Sequence, residues 1–209
     1  MSKTVWRDAP CIVAASGPSL SKEQAQLCQG YNVIAVNDAY RLFPNANTLY
    51  AADVEWWKYH EGCPNFEGEK LTCHHDGDAR RRKRICKEYN IKPMAARRGS
   101  GFSLDPSYIH YGTNSGFQAT NIAVVRGACP IILIGFDMQG THFFGPHPSR
   151  IRRNEAVKKY DRFISYFHQA RMLHKDLNII NATGPKSLLT AFPTMSLKEA
   201  LDACGKTQS

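Results

Sequence analysis

Two histidines, His142 and His147, bracket the segment His142-Phe143-Phe144-Gly145-Pro146-His147. Imidazole titrates near neutral pH, so either ring is suited to take a proton from a hydroxyl group. Asp137 lies just upstream, and Arg150, Arg152 and Arg153 lie just downstream. Guanidinium groups match phosphate oxygens, so the three arginines are the expected phosphate contacts. The glycine and proline between the histidines mark a loop, as a closing lid requires. His142 and His147 are both candidates for a general base.

Small and polar residues also recur just after apolar runs. Ser16-Gly17-Pro18-Ser19-Leu20 follows Cys11–Ala15, and Asn37-Asp38 follows Asn32–Val36. Asp53 follows Thr48–Ala52, Asp137 follows Ile131–Gly135, and Thr183-Gly184-Pro185 follows Asn178–Asn181. Ligands of an open parallel sheet bind outside the carboxyl ends of its strands, which is where these residues fall. Gly17 lets backbone approach a ligand, and N–H groups at a helix start hold phosphate. Asn114, Ser115 and Gly116 open another helical pattern and suit an anion or a ribose. Neither a Walker loop nor a GxGxxG turn is present. The same residues also make an ordinary tight turn at Gly17 and an ordinary N-cap at Asn114, and the pattern alone does not separate the readings. The expected nucleotide contacts are Ser16, Gly17, Pro18, Ser19, Asn37, Asp38, Asp53, Asn114, Ser115, Gly116 and Asp137.

The elements that must position these residues alternate in type. Helical patterns cover Ser21–Gln29, with Ser21 and Gln24 as a capping-box pair, then Asp78–Tyr89, Ser115–Arg126 and Asn154–Leu173. A short amphipathic piece passes through Trp56 and Trp57. Ser196 and Glu199 cap a last helix. Arg97–Gly112, rich in Gly, Ser and Pro, reads as a loop or flap. Strands separated by helices imply parallel pairing. The expectation is one α/β domain over residues 1–209, a Rossmann-like, mostly parallel sheet flanked by helices, with a lid over residues 139–153.

The bulk properties agree with one core. The chain has 209 residues, 43% of them hydrophobic, and a formal charge of +9. Basic residues cluster at Arg80-Arg81-Arg82-Lys83-Arg84, at Arg97-Arg98 and at Arg150–Arg153, which suits an anionic partner: a nucleotide, a nucleic acid or an acidic glycan. The seven cysteines have irregular spacing and read as reduced small hydrophobes. Cys63, Cys73, His74, His75 and Cys86 fit no tight pair of zinc knuckles, so no metal ligand is assigned. No apolar run approaches a membrane span, and no signal region follows Lys3 and Arg7, so a cytoplasmic protein is expected.

Five motifs in order resemble the bacterial CMP-sialic-acid-dependent sialyltransferases and their relatives, the MptE-like hydroxymethylpterin pyrophosphokinase group. They are Ile12–Leu20, Ile34-Ala35-Val36-Asn37-Asp38, Asn114-Ser115-Gly116, Ile134-Gly135-Phe136-Asp137, and Asn178–Phe192 with Ser187-Leu188-Leu189. The resemblance implies a nucleotide held by Gly17, Ser19, Asn37, Ser115 and Gly116. It implies His147 as general base and a lid near residues 139–153. It departs at the lid, where Phe143 and Phe144 stand in place of paired tyrosines and Tyr160 is the nearest tyrosine. Small size and basicity also resemble phage and prophage proteins, for which the acceptor would be a DNA base or a surface glycan.

The reading that follows is an inverting glycosyltransferase-like enzyme. It would move a sugar from a CMP-sugar type donor to a hydroxyl acceptor, with a histidine base. One alternative is a pyrophosphokinase-like transferase, for which Asp53 and Asp137 would hold magnesium. The other is a non-catalytic nucleotide- or DNA-binding protein on the same fold. Homo-oligomerisation is left open.

Overall fold

The computed structural model describes residues 5–74, 79–145 and 157–205. These form one sheet of eight strands: β1 (Cys11–Ala14), β2 (Asn32–Val36), β3 (Thr48–Tyr50), β4 (Glu69–His74), β5 (Lys92–Arg97), β6 (Tyr108–His110), β7 (Ile131–Ile134) and β8 (Ile179–Asn181). Their order is β6-β5-β4-β3-β2-β1-β7-β8, and every pairing is parallel. The expected α/β architecture holds, and the sheet is wholly rather than mostly parallel.

Helices cover both faces, which is why central strands are apolar throughout rather than alternating. All four residues of β1 and of β7 are buried. One core packs α2 (Val54–Tyr59), α3 (Ala79–Glu88) and α6 (Leu197–Ala203) on one face, through Trp56, Trp57, Ile85, Leu197 and Leu201. The capping-box helix α1 (Lys22–Leu27) lies between β1 and β2 and starts where Ser21 and Gln24 predict. The opposite core packs α4 (Ser115–Val125) and α5 (Val157–Leu173) through Phe117, Ile122, Phe167 and Ala170.

The strand order sets the site. From β1 the chain builds outward to β6, then returns through α4 and adds β7 on the other side of β1. The chain therefore runs on from β1 and from β7 toward opposite edges of the sheet, and a crevice opens beside the ends of these two strands. This topological switch point is the ordinary ligand site of an open parallel sheet.

Three strands were not legible as strands. β4 has the polar sequence Glu-Lys-Leu-Thr-Cys-His, and β6 is only three residues long. β5 is largely exposed and contains Pro93, which argues against a sheet interior. Arg97–Gly112 is consequently not one loop. Arg97 closes β5, and Tyr108–His110 forms β6 on its edge. A fully buried asparagine on α4 fixes this region. Asn121 accepts from the Ser103 and His110 N–H groups at 2.9 and 2.8 Å and donates to the Ser103 carbonyl at 2.8 Å.

The basic helix is observed as α3, and the long helix as α5, with residues 154–156 outside the described residues. Among the described residues no helix is long and apolar enough to cross a membrane. The seven cysteines are free thiols. Burial drives the Cys63 thiol up to about 11 and the Cys28 thiol up to about 12, so neither is a ready thiolate at neutral pH.

Candidate functional site

A cleft of about 1580 Å³ opens at the switch point. Its wall is made by the carboxyl ends of β1, β2, β3, β4, β5 and β7 together with the start of α4 and the segment after β7. Ser16 and Gly17 come from β1, Asn37 from β2, Asp53 from β3, Arg97 and Arg98 from β5, and Asp137 from β7. Thr113, Asn114, Ser115 and Gly116 lead into α4, and His142 reaches the wall from the lid.

Local hydrogen bonds show how each turn is set. The Ser16 hydroxyl donates to the Val36 carbonyl at 2.9 Å, tying the β1 turn to the end of β2. Asn114 caps α4 by accepting from the Phe117 N–H at 2.8 Å, which leaves the Ser115 and Gly116 N–H groups without acceptors in the helix. Those N–H groups and the helix dipole favour an anion. The β7 turn is held from β8. Phe136 N–H donates to the Thr183 hydroxyl at 3.0 Å, the Ser187 hydroxyl donates to the Phe136 carbonyl at 2.7 Å, and Leu188 N–H donates to the Asp137 carbonyl at 3.0 Å. Thr183 and Ser187 thus brace the site from behind.

Asp137 sits where the β1 and β7 loops meet. Its Oδ2 accepts from the Ser19 hydroxyl at 2.8 Å and from the Ser19 N–H at 3.4 Å. Ser19 supports the site through this carboxylate and is not on the cleft wall; neither is Pro18. Burial raises the Asp137 carboxyl above its ordinary value, against the opposing pull of the Ser19 bonds. A carboxyl whose folded pKa lies above its unfolded one binds its proton more tightly in the native state, so its contribution to stability falls as pH rises through the folded pKa. Asp137→Asn is therefore expected to gain stability relative to wild type as pH is raised from below the ordinary aspartate value toward neutral. Urea midpoints across that range check this; a constant difference contradicts it.

Gly17 has a structural reason that the sequence alone does not reveal. A Cβ there would stand 2.0 Å from Asp137 Oδ2 and 2.4 Å from the Gly135 carbonyl oxygen. The glycine lets the two switch-point loops touch and also lines the cleft.

Three of the wall residues hold left-handed backbone without being glycine: Asn37 (φ 50°), Thr113 (φ 66°) and Met138 (φ 55°). For a β-branched threonine this is a genuine outlier. Thr113 Oγ1 is also a buried oxygen with no hydrogen-bond partner. Strain and an orphaned polar atom in one cleft are features that binding sites retain.

Some expected residues lie elsewhere. Asp38 is 2% exposed and turned inward, off the cleft wall. Trp56 Nε1 donates to it at 2.8 Å, Arg41 pairs with it at 2.8 Å, and His60 Nε2 lies 3.5 Å away. Its role in this structure is to hold α2 and Arg41, whose guanidinium stands 5.2 Å over the Phe144 ring in the lid. Phe144 in turn stacks on His142, with centroids 5.1 Å apart and planes 5° apart. Asp53 reaches the wall while capping α2 through the Glu55 N–H at 2.9 Å. Asp53 and Asp137 both line the cleft, but among the described residues no three His, Cys, Asp or Glu side chains group to hold a metal ion. His147, Arg150, Arg152 and Arg153 lie outside the described residues.

The structure also adds residues. Arg81 and Arg82 of α3, Arg97 and Arg98 after β5, and Arg162 of α5 all line the cleft, as do Tyr111, Tyr160 and Tyr166. Arg97 and Arg98 fall under the same strand-end rule that found Asn37 and Asp137, but the sequence shows them only as a basic cluster because β5 is not recognisable as a strand. The three tyrosines supply phenolic hydroxyls in the cleft that the lid sequence lacks. Tyr160 meets the described part of the lid by donating to the Gly140 carbonyl at 3.0 Å.

Fold and cleft together define an α/β protein with a cleft at the switch point of a parallel sheet. No protein-family model, curated protein or solved structure matches the chain.

Proposed function

We propose that this cleft binds a nucleotide-activated donor and that the protein is a glycosyltransferase-like enzyme acting on a hydroxyl acceptor. The observation that carries the reading is the convergence at one switch point of the Gly17 turn, left-handed Asn37 and the uncapped N–H groups of α4. The donor's phosphate belongs near the start of α4, where backbone N–H groups meet negative charge. Asn37 stands at the end of β2, placed to meet the nucleoside.

The chemistry then follows from the groups on the wall. A histidine nitrogen takes the proton of the acceptor hydroxyl as that oxygen bonds to the anomeric carbon. The bond from the anomeric carbon to the phosphate oxygen breaks through an oxocarbenium-like state, and the nucleoside phosphate departs with the electron pair. The new charge on the phosphate is met by the α4 N–H groups. His142 is the described histidine on the wall, and the resemblance points to His147 for the same task.

Calorimetric titration with CMP, UMP, ATP and their sugar conjugates tests the donor site. Asn37→Gly is the suited variant, because glycine keeps the left-handed backbone and removes only the side chain. It is expected to leave thermal stability nearly unchanged and to weaken nucleotide binding by about 1–3 kcal/mol. Equal affinity in both proteins removes Asn37 from the site, and no binding of any nucleotide removes the donor reading.

A further inference from the structure

We propose that the half of the cleft over the ends of β4 and β5 is a separate acceptor subsite, and that the acceptor is a small molecule carrying a phosphate or carboxylate group beside its reacting hydroxyl. This rests on the donor reading above for the word acceptor; the anion site itself does not.

Size is the first reason. A small-molecule site usually encloses about 300–1,000 Å³. This cleft, at about 1580 Å³, has room for a second molecule beside a nucleotide. Its two ends also differ in chemistry. The β1, β2 and β7 end presents small residues, Asn37 and Asp137, while the β5 end presents Arg97 and Arg98, and Arg162 of α5 lines the same cleft.

Charge is the second reason. Arg97, Arg98 and Arg162 form no ion pair among the described residues. The carboxylates on the same wall are already engaged: Glu55 pairs with Arg81, Asp53 caps α2, and Asp137 accepts from Ser19. Arg82 is buried and committed to the Ala52 and Cys73 carbonyls at 3.1 and 2.7 Å. Arg97, Arg98 and Arg162 therefore line the cleft with no ion-paired carboxylate among the described residues, and a planar fork of N–H donors fits an oxyanion.

Rigidity is the third reason. The Arg97 carbonyl accepts from the Tyr111 N–H at 3.2 Å, and its guanidinium rests 4.1 Å over the Tyr108 ring. A Cβ at Gly99 would stand 2.3 Å from His110 Nε2, so the turn after Arg98 is pressed onto β6. His110 is itself set by Asn121 of α4 and by the Gly101 carbonyl, 3.1 Å from its Nδ1. The arginine pair is mounted on a braced edge, as recognition of a specific anion requires.

The test uses the whole protein saturated with CMP. Glucose 6-phosphate, glucuronic acid and glucose are titrated into wild type and into Arg98→Gln, and Arg162→Gln serves as a second variant on a different element. Arg98 is exposed and forms no ion pair among the described residues, so its replacement leaves the fold in place. The expected result is binding of one or both anionic sugars over glucose, weakened about tenfold or more by either variant, with CMP affinity unchanged. Which sugar binds identifies phosphate or carboxylate as the recognised group. If the anionic sugars compete with CMP and Arg98→Gln weakens CMP itself, the arginines belong to the donor site and the proposal falls. It also falls if neither anionic sugar outbinds glucose, or if only a single-stranded oligonucleotide binds. If no nucleotide binds but glucose 6-phosphate does, in an Arg98-dependent way, the anion subsite stands and only the donor reading fails.

Discussion

Gly17→Val is expected to destabilise the protein by about 3 kcal/mol or more, the upper end for overpacking, because one of the obstructing groups cannot move aside. The Cβ would meet Asp137 Oδ2, a side chain that could swing away only by leaving Ser19. It would also meet the Gly135 carbonyl, which is backbone and is fixed in place because Gly17 N–H donates to it at 2.9 Å. Relief requires the β1 and β7 loops to separate at the switch point, so ligand binding is lost with stability. Thermal unfolding reads this as a drop in Tm of about 6–12 °C for a chain of this size. A valine variant with wild-type Tm means that the two loops do not touch as described. The same contact makes Gly17→Val a poor probe of nucleotide approach, since protein atoms alone account for the glycine.

The second large effect is kinetic. His142→Ala is expected to lower turnover by about 100-fold or more while leaving donor affinity nearly intact, the signature of a lost proton acceptor. The ring is held for the task by a chain of contacts running from buried Asp38 through Arg41 and Phe144. His147→Ala is measured beside it. If that variant loses turnover and His142→Ala keeps it, the base stands where the resemblance puts it. Full turnover in both variants, in a verified transfer assay, removes the histidine-base mechanism.

The central strands and the switch-point residues were legible because burial on both faces leaves an unmistakable apolar run, and because ligand-facing turns follow such runs. Ser16, Gly17, Asn37, Asp53 and Asp137 follow such runs, Ser115 opens a helical pattern, and all line one cleft. Pattern could not show which way a side chain turns. Asp38 and Asn37 are neighbours after the same strand, yet one is locked to Trp56 and Arg41 and the other lines the cleft. Nor could it show the outer sheet. β5 and β6 lie at the exposed edge, where the apolar signal fades, and β6 is tied through His110 to Asn121, which is distant from β5 in sequence. The arginines that β5 carries into the cleft were hidden for that reason.

Amide hydrogen exchange with and without CMP or a CMP-sugar is the most direct test of the central claim, that a nucleotide occupies the switch-point cleft. Slowed exchange is predicted in the turn after β1 around Gly17, at Asn37, across Thr113–Gly116 at the start of α4, and from Gly135 to Gln139 after β7. Ligand-induced protection confined to other parts of the chain, or none at saturating nucleotide, would contradict it.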